Sequence, residues 1–203
     1  MNMERTIAKD LLRIGAVFFR PEEPFTWASG IKSPVYCDNR LTLSTPDVRA
    51  DVENGLAELI RTYYPAAEVL MGTSTAGIAH AAITAHILGL PMGYVRSGAK
   101  DHGRQNRIEG KLEKGQKTVV VEALREEGAE VLGIVSIFTY GMQKGLDRLA
   151  QAKAENHSLT NFDEIALVAA EEGYIKPSDV QRLIAFRNNP SDESWIKGGK
   201  ANT

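Results

Sequence analysis

Apolar positions along the chain change period several times, and each change marks an element. Ile7, Leu11 and Leu12 recur at helical spacing and predict a short helix that ends before Gly15. Pro24 to Arg40 mixes aromatic residues with Ser, Gly and Pro, which suits irregular strands and a tight turn; we read it as a rim or hood. Val48, Val52, Leu56, Leu59, Ile60 and Tyr63 share one helical face, with Ser44 and Thr45 as candidate caps and Pro46 suited to a first turn. That helix should run to about Thr62. Glu68 to Met71 then reads as a buried strand, Gly72 to Gly77 as a tight loop and Ile78 to Leu88 as an alanine-rich helix stopped by Gly89. Met92 to Arg96 is the next strand. Arg96 to Gly110 has no apolar period and reads as a long mobile loop. Two β-branched runs, Lys117 to Val121 and Val131 to Phe138, read as buried strands. Phe162, Ile165 and Val168 or Ala169 predict one late helix, and Val180, Leu183 and Ile184 another. Gly173, Pro177 and Pro190 punctuate them, and the tail from residue 197 to 203 reads as frayed.

Strand, small-residue loop, helix, strand is the repeating unit of an open, mostly parallel sheet flanked by helices, an α/β fold whose ligands collect at the carboxyl ends of its strands. The 203 residues are expected to form one domain. A composition 43% hydrophobic and 25% charged is that of an ordinary globular chain, and a net charge of -2 argues against a nucleic-acid binder. One cysteine, Cys37, allows no internal disulfide, and the first residues carry Glu4 and Asp10 rather than an apolar leader. Both features fit a cytoplasmic protein without membrane association.

Three constellations could carry chemistry. From Arg96 to Lys111, five cations (Arg96, Lys100, Arg104, Arg107, Lys111) face Asp101 and Glu109, a local charge of +3 in a negative chain. On a loop at a strand end, such donors converge well on a diphosphate, and Gly98, Gly103 and Gly110 would let the loop close as a lid. The same composition also suits a plain solvated loop. Gly72 to Gly77, including Thr75, allows close backbone approach and opens a helix whose first N–H groups favour an anion, although any tight turn into a helix looks similar. Lys32, beside Tyr36 in the rim, suits a flat anionic ring, or a solvated turn. Other residues promise less. His80 and His86 lie about 240° apart on a helix, which spoils a metal pair. His157 sits in a polar stretch and reads as solvated, Cys37 as a small packing residue, and Trp27 and Trp195 as packing anchors.

With these residues in view, the chain resembles the bacterial orotate phosphoribosyltransferases over nearly its whole length. The likeness rests on PFTWASGIKSPVYCDNR in the rim, MGTSTAGIAHAA at the strand-to-helix turn, YVRSGAKDHGRQNRIEG in the loop, and KTVVVE followed by EGAEVLGIVSIFTYG. The resemblance implies a type I phosphoribosyltransferase-like fold with a small N-terminal hood within residues 1–40 and a mobile catalytic loop at 97–110. It implies transfer of 5-phosphoribose from 5-phosphoribosyl 1-diphosphate to orotate, with Mg²⁺ bound mainly through the diphosphate, in pyrimidine synthesis. Lys100 and His102 match the catalytic loop residues and Arg96 a further diphosphate contact. Thr75 and Gly77 match the turn that meets the substrate, Glu122 an acidic residue on the ribose hydroxyls, and Lys32 part of the hood over orotate. The loop reaches into a second subunit, which implies a homodimer. Many relatives carry a basic residue where Ala28, Ala76 and Ser97 stand here, so those contacts do not transfer. The rim and the KDHG sequence of the loop argue against a third reading, a transferase acting on a purine base.

One departure is large. In the family, the strand matching KTVVVE leads into a small-residue loop that holds the 5-phosphate and then into a helix; here Glu122 runs directly into Ala123, Leu124 and Arg125. By that comparison about fourteen residues are absent. Only nine residues lie between Val121 and Val131, whereas a parallel crossover with its helix takes at least about 10 to 12. The sequence therefore predicts either strands that are not a normal crossover pair or a lost segment. It raises a second functional reading, a catalytically impaired or non-catalytic descendant that keeps dimerisation and orotate binding.

Overall fold

The computed structural model describes residues 2–27, 29–96, 107–121 and 130–197. In chain order the elements are α1 (Met3–Arg13), β1 (Val17–Phe19), β2 (Phe25–Thr26), β3 (Lys32–Ser33), β4 (Val35–Cys37), a 3₁₀ turn (Asn39–Ser44), α2 (Pro46–Tyr63), β5 (Val69–Thr73), α3 (Ala76–Leu88), β6 (Met92–Val95) and β7 (Ile108–Glu109). There follow β8 (Lys117–Val121), β9 (Glu130–Thr139), α4 (Gln143–Gln151), β10 (Asn156–Asn161), α5 (Phe162–Glu171), α6 (Asp179–Asn188) and α7 (Ser194–Lys197). They group into two compact units, one of Met1–Val48, Phe138–Asp147 and Thr160–Thr203, the other of Arg49–Ile137 and Arg148–Leu159.

The second unit is built on a six-stranded sheet in the order β10-β9-β8-β5-β6-β7. The pairs β5–β6, β5–β8 and β8–β9 are parallel, and only β7 is shown running antiparallel, against β6. All five residues of β5 are buried, as are four of the five in β8, which explains their unbroken apolar sequences: a parallel strand covered on both faces has no solvent side to mark with polar residues. Val69 and Met71, two apart on β5, share a face and pack with Val95, Ile108 and Leu112. Val120, Ile134 and Ala154 form another cluster with Val131, Leu149 and Ala152. Gly133 has a steric reason: a Cβ there would lie 2.1 Å from the Tyr64 hydroxyl, which donates to the Glu155 carbonyl at 3.1 Å.

In the first unit, the amphipathic α1 buries Ile7, Ala8, Leu11 and Leu12 and packs on α5. Glu4 accepts from the Asn161 side-chain amide, and Arg5 pairs with Glu171. The hood consists of two small antiparallel ribbons, β1 with β4 and β2 with β3. The β2–β3 turn closes where Gly30, at φ 84°, donates to the Trp27 carbonyl.

Several boundaries differ from the sequence reading. Thr73 belongs to β5 and Ala76 and Gly77 to α3, so only Ser74 and Thr75 form the turn that was read as Gly72 to Gly77. The end of the 97–110 loop is a strand, because Ile108 and Glu109 pair with Val95 and Tyr94. Residues 97–106 lie outside the described residues. So does the tail read as frayed, except Lys197, which closes α7. Tyr63 leaves the buried face of α2 and is 51% exposed. His157, read as solvated, stands on β10 with its ring stacked on Tyr63 at 3.6 Å and 7°. The strands flanking residues 122–129 are parallel neighbours, Val121 opposite Val135, and the connection between them lies outside the described residues.

Candidate active site

The carboxyl ends of β5, β6 and β8 come level at one edge of the sheet: Thr73 pairs with Val95, and Gly72 with both Tyr94 and Val121. Here β5 turns into α3 within two residues. That tightness depends on Gly72, whose added Cβ would lie 2.6 Å from the Gly77 carbonyl oxygen and 2.9 Å from the Ile78 Cα. Small residues in MGTSTAGIA thus serve first to seat the helix on its strand. The turn is tied to β6 by the Ser74 N–H, which donates to the Val95 carbonyl at 2.9 Å, and its Ser74–Thr75 peptide bond is cis. Thr75 caps α3 in a helical conformation without a side-chain hydrogen bond to the first turn. The start of a 13-residue helix therefore faces the strand ends without a side-chain cap from its own N-cap residue, an arrangement that favours an anion.

Arg96 follows β6 directly. Its N–H donates to the Arg107 carbonyl at 2.8 Å, so the two ends of the cationic segment are held together at the base. Its guanidinium is one-third exposed and reaches Glu109 only loosely, Nη1 to Oε1 at 3.5 Å. Arg96, Thr75 and Gly77 are therefore brought to one edge, as the sequence predicts. Lys100, His102 and Glu122 lie outside the described residues. Glu122 follows Val121, the residue of β8 level with Gly72.

Lys32 belongs to the other unit, on the β2–β3 ribbon, where its ammonium donates to the Thr26 hydroxyl at 2.9 Å, its partner across the ribbon. Beside it lie Phe18, Phe25 and Tyr36, with ring centroids 5.4 to 5.8 Å apart, and the Arg20 guanidinium stands 5.1 Å from the Phe25 ring. Past β4, Arg40 grips Asp38 with two bonds of 2.7 Å, and those bonds hold the Asp38 carboxyl below its usual range. Trp27 and Trp195 are packing anchors, as read.

Sequence reasoning missed two buried polar networks. Glu53 on α2 accepts from His80 Nδ1 at 2.6 Å and from the Thr84 hydroxyl at 2.8 Å, with all three residues essentially inaccessible. Arg182 on α6 is likewise buried among acceptors. A signal existed for the first: Glu53 stands inside the apolar arc of Val52, Leu56 and Ile60, where a carboxylate needs a partner.

No protein-family model matches the chain. It is 53% identical to an orotate phosphoribosyltransferase of Bacillus cytotoxicus over 208 aligned residues, covering 96% of this chain and 99% of that one. Since 96% of 203 residues is about 195, about 13 of those aligned positions have no counterpart here. Among solved structures, an orotate phosphoribosyltransferase from Aeropyrum pernix superposes with a TM-score of 0.69 at 27% identity, over 83% of this chain and 99% of that one. A UMP synthase of Leishmania donovani, at 23% identity and a TM-score of 0.74, shares the fold; the match covers 91% of this chain and 42% of that protein. These likenesses give no support to a non-catalytic descendant. With the strand-end geometry and an identity of 53% over nearly the full length of both chains, the chain belongs to the orotate phosphoribosyltransferase family, glycosyltransferases of the type I phosphoribosyltransferase fold.

Proposed function

We propose that the chain transfers 5-phosphoribose from 5-phosphoribosyl 1-diphosphate to orotate, giving orotidine 5'-phosphate and diphosphate in UMP synthesis. The observation that carries this reading is the meeting of Arg96 with the Thr75–Gly77 turn at one strand edge, in a chain of this family. In the reaction the bond from the anomeric carbon to the diphosphate oxygen breaks with its electron pair leaving on the diphosphate, and a ring nitrogen of orotate supplies the pair for the new bond while its proton passes to the departing diphosphate. Negative charge grows on the leaving group. Arg96 and the start of α3 meet that charge as donors fixed in advance, and Lys100 and His102 join them from the loop. Glu122 accepts from the ribose hydroxyls, and Lys32 in the hood faces the anionic base. Closure of the loop keeps water from the sugar carbon.

Mg²⁺ takes oxygen ligands, keeps several waters and is commonly held through substrate phosphates. Among the described residues no three His, Cys, Asp or Glu groups stand together. When bound, Mg²⁺ neutralises charge on the diphosphate. The loop acts in the neighbouring copy of a homodimer, and the enzyme works in the cytoplasm; family resemblance supports both, and the lone Cys37 fits a reducing compartment.

The test is a single-turnover assay with enzyme in excess, 5-phosphoribosyl 1-diphosphate and Mg²⁺, following orotate loss and diphosphate release together. Equimolar loss and release are expected. No release with orotate, or faster release with adenine, overturns the assignment.

A further inference from the structure

A single guanidinium ties the carboxyl-terminal helix to the hood. Arg182 is 7% exposed. Its Nε donates to the Trp195 carbonyl at 3.0 Å. Nη1 donates to Glu22 at 2.6 Å and to Asp179 at 2.8 Å, and Nη2 to the carbonyls of Pro21 at 3.1 Å and Ile196 at 3.2 Å. Five bonds match the five N–H groups that an arginine owns, so none remains for a ligand. The group draws together three segments distant in sequence: the chain entering the hood, the first turn of α6, and α7.

The link continues by ring packing. Trp195, whose carbonyl Arg182 holds, sets its ring against Phe186 at 5.6 Å; Phe186 meets Trp27 at 5.9 Å; and Trp27 meets Tyr140 at 5.9 Å. Trp27 begins the turn of the β2–β3 ribbon, its N–H donating to the Ile31 carbonyl at 2.9 Å, and Lys32 is the next residue on. The ribbon is two residues a side, too short to hold its own position in water. Its place is therefore set from both ends, at Pro21 and Glu22 by Arg182 directly, and at Trp27 through Phe186 and Trp195.

We propose that Arg182 is a positioning residue for recognition of the base: through α7 and Trp27 it fixes the β2–β3 ribbon, and with it Lys32, where the orotate ring is held. This rests on the transferase reading above, in which the hood covers orotate. The diphosphate contacts, Arg96 and the β5–α3 turn, belong to the other compact unit and take no part in this network. Loss of the tie should therefore weaken orotate and spare the phosphorylated sugar. A residue that merely stabilised the fold would lower the amount of active enzyme and leave both KM values alone.

Arg182→Lys keeps the charge beside Glu22 and Asp179 but has three N–H groups for five acceptors. Trp27→Leu cuts the ribbon from Phe186 and leaves Arg182 untouched. Each variant is expected to raise KM for orotate about tenfold, with KM for 5-phosphoribosyl 1-diphosphate and kcat within threefold of the parent. Unchanged orotate KM in the folded variants, or a parallel rise for both substrates, overturns the proposal. Should one variant fail to fold, the other decides. Failure of the parent chain to turn over orotate strikes the transferase reading itself, and so is distinguishable from failure of the tie.

Discussion

Two crossings of the same sheet are built very differently. From β5 the chain passes through α3, a helix of 13 residues, before it returns as β6, a parallel neighbour. From β8 it returns as β9, also a parallel neighbour, with only residues 122–129 between. Val121 is level with Val135, so the chain must travel back along five residues of β9 to reach Glu130. That return is roughly 17 Å at 3.3 Å per strand residue. Eight residues stretch to about 28 Å when extended but only about 12 Å as a helix. As a matter of sequence length, eight residues can span the gap but are fewer than the about 10 to 12 that a parallel crossover with its helix takes. The comparison teaches that the two sides of the site have different standing. The turn proposed for the diphosphate is packed into the fold, while at the strand end that resemblance assigns to the ribose 5-phosphate the sequence is shorter than the family pattern.

Restoring that length gives the largest expected effect. Insertion between Glu122 and Ala123 of the small-residue loop and helix that the family pattern places after this strand should raise kcat/KM for 5-phosphoribosyl 1-diphosphate about a thousandfold. Several hydrogen bonds to a charged phosphate return together, each contributing roughly 1.5 to 3 kcal/mol. Steady-state kinetics of the two proteins side by side provide the check, and equal values would dissolve the contrast between the two crossings.

The same contrast shows what the sequence could and could not reveal. The short crossing was legible because it is a matter of counting, β5 because it begins as a short apolar run, and β8 and β9 because they are rich in β-branched residues. Gly89 stops α3 at φ 68° as its position suggested. By contrast, β10 reads NHSLTN, polar enough to pass for a loop; His157 is covered there only because Tyr63, far back in the chain, stacks on it. Likewise α4 buries none of its residues and offered little apolar signal. Glu53 and His80, 27 residues apart, and Arg182 with Pro21, 161 apart, meet through tertiary packing. Periodicity reports which face of an element is covered. It is silent on which polar side chain waits beneath the covering one.

The intact crossing can be broken at the lock between α3 and α2. Glu53 accepts from both His80 and Thr84 in a fully buried setting, and the other imidazole nitrogen, Nε2, has no hydrogen-bond partner. His80→Leu would leave the carboxylate with one donor. Removing one partner of a buried pair costs about 3 kcal/mol or somewhat more. Urea unfolding should show this as a lower midpoint at unchanged slope. An unchanged midpoint would mean that α3 is seated by its apolar contacts alone.

A smaller loss is expected where α3 begins. Gly72→Ala places a Cβ 2.6 Å from the Gly77 carbonyl oxygen, and both the oxygen and the Ile78 Cα beyond it are backbone, so no side chain can swing aside. The first turn of α3 must lift from β5, a cost of about 2 kcal/mol by analogy with overpacked cores. The shift would also move Thr75 and Ser74 relative to Arg96, so KM for the diphosphate substrate should rise along with the fall in stability. Gly145→Ala is the matching control. Gly145 lies exposed within α4 with nothing near its missing Cβ and no left-handed backbone, so alanine should stabilise by up to about 1 kcal/mol. Opposite signs at the two glycines would show that close approach, and not a general intolerance of an added methyl group, selects Gly72; no loss at Gly72 would remove the steric reason for the small-residue turn.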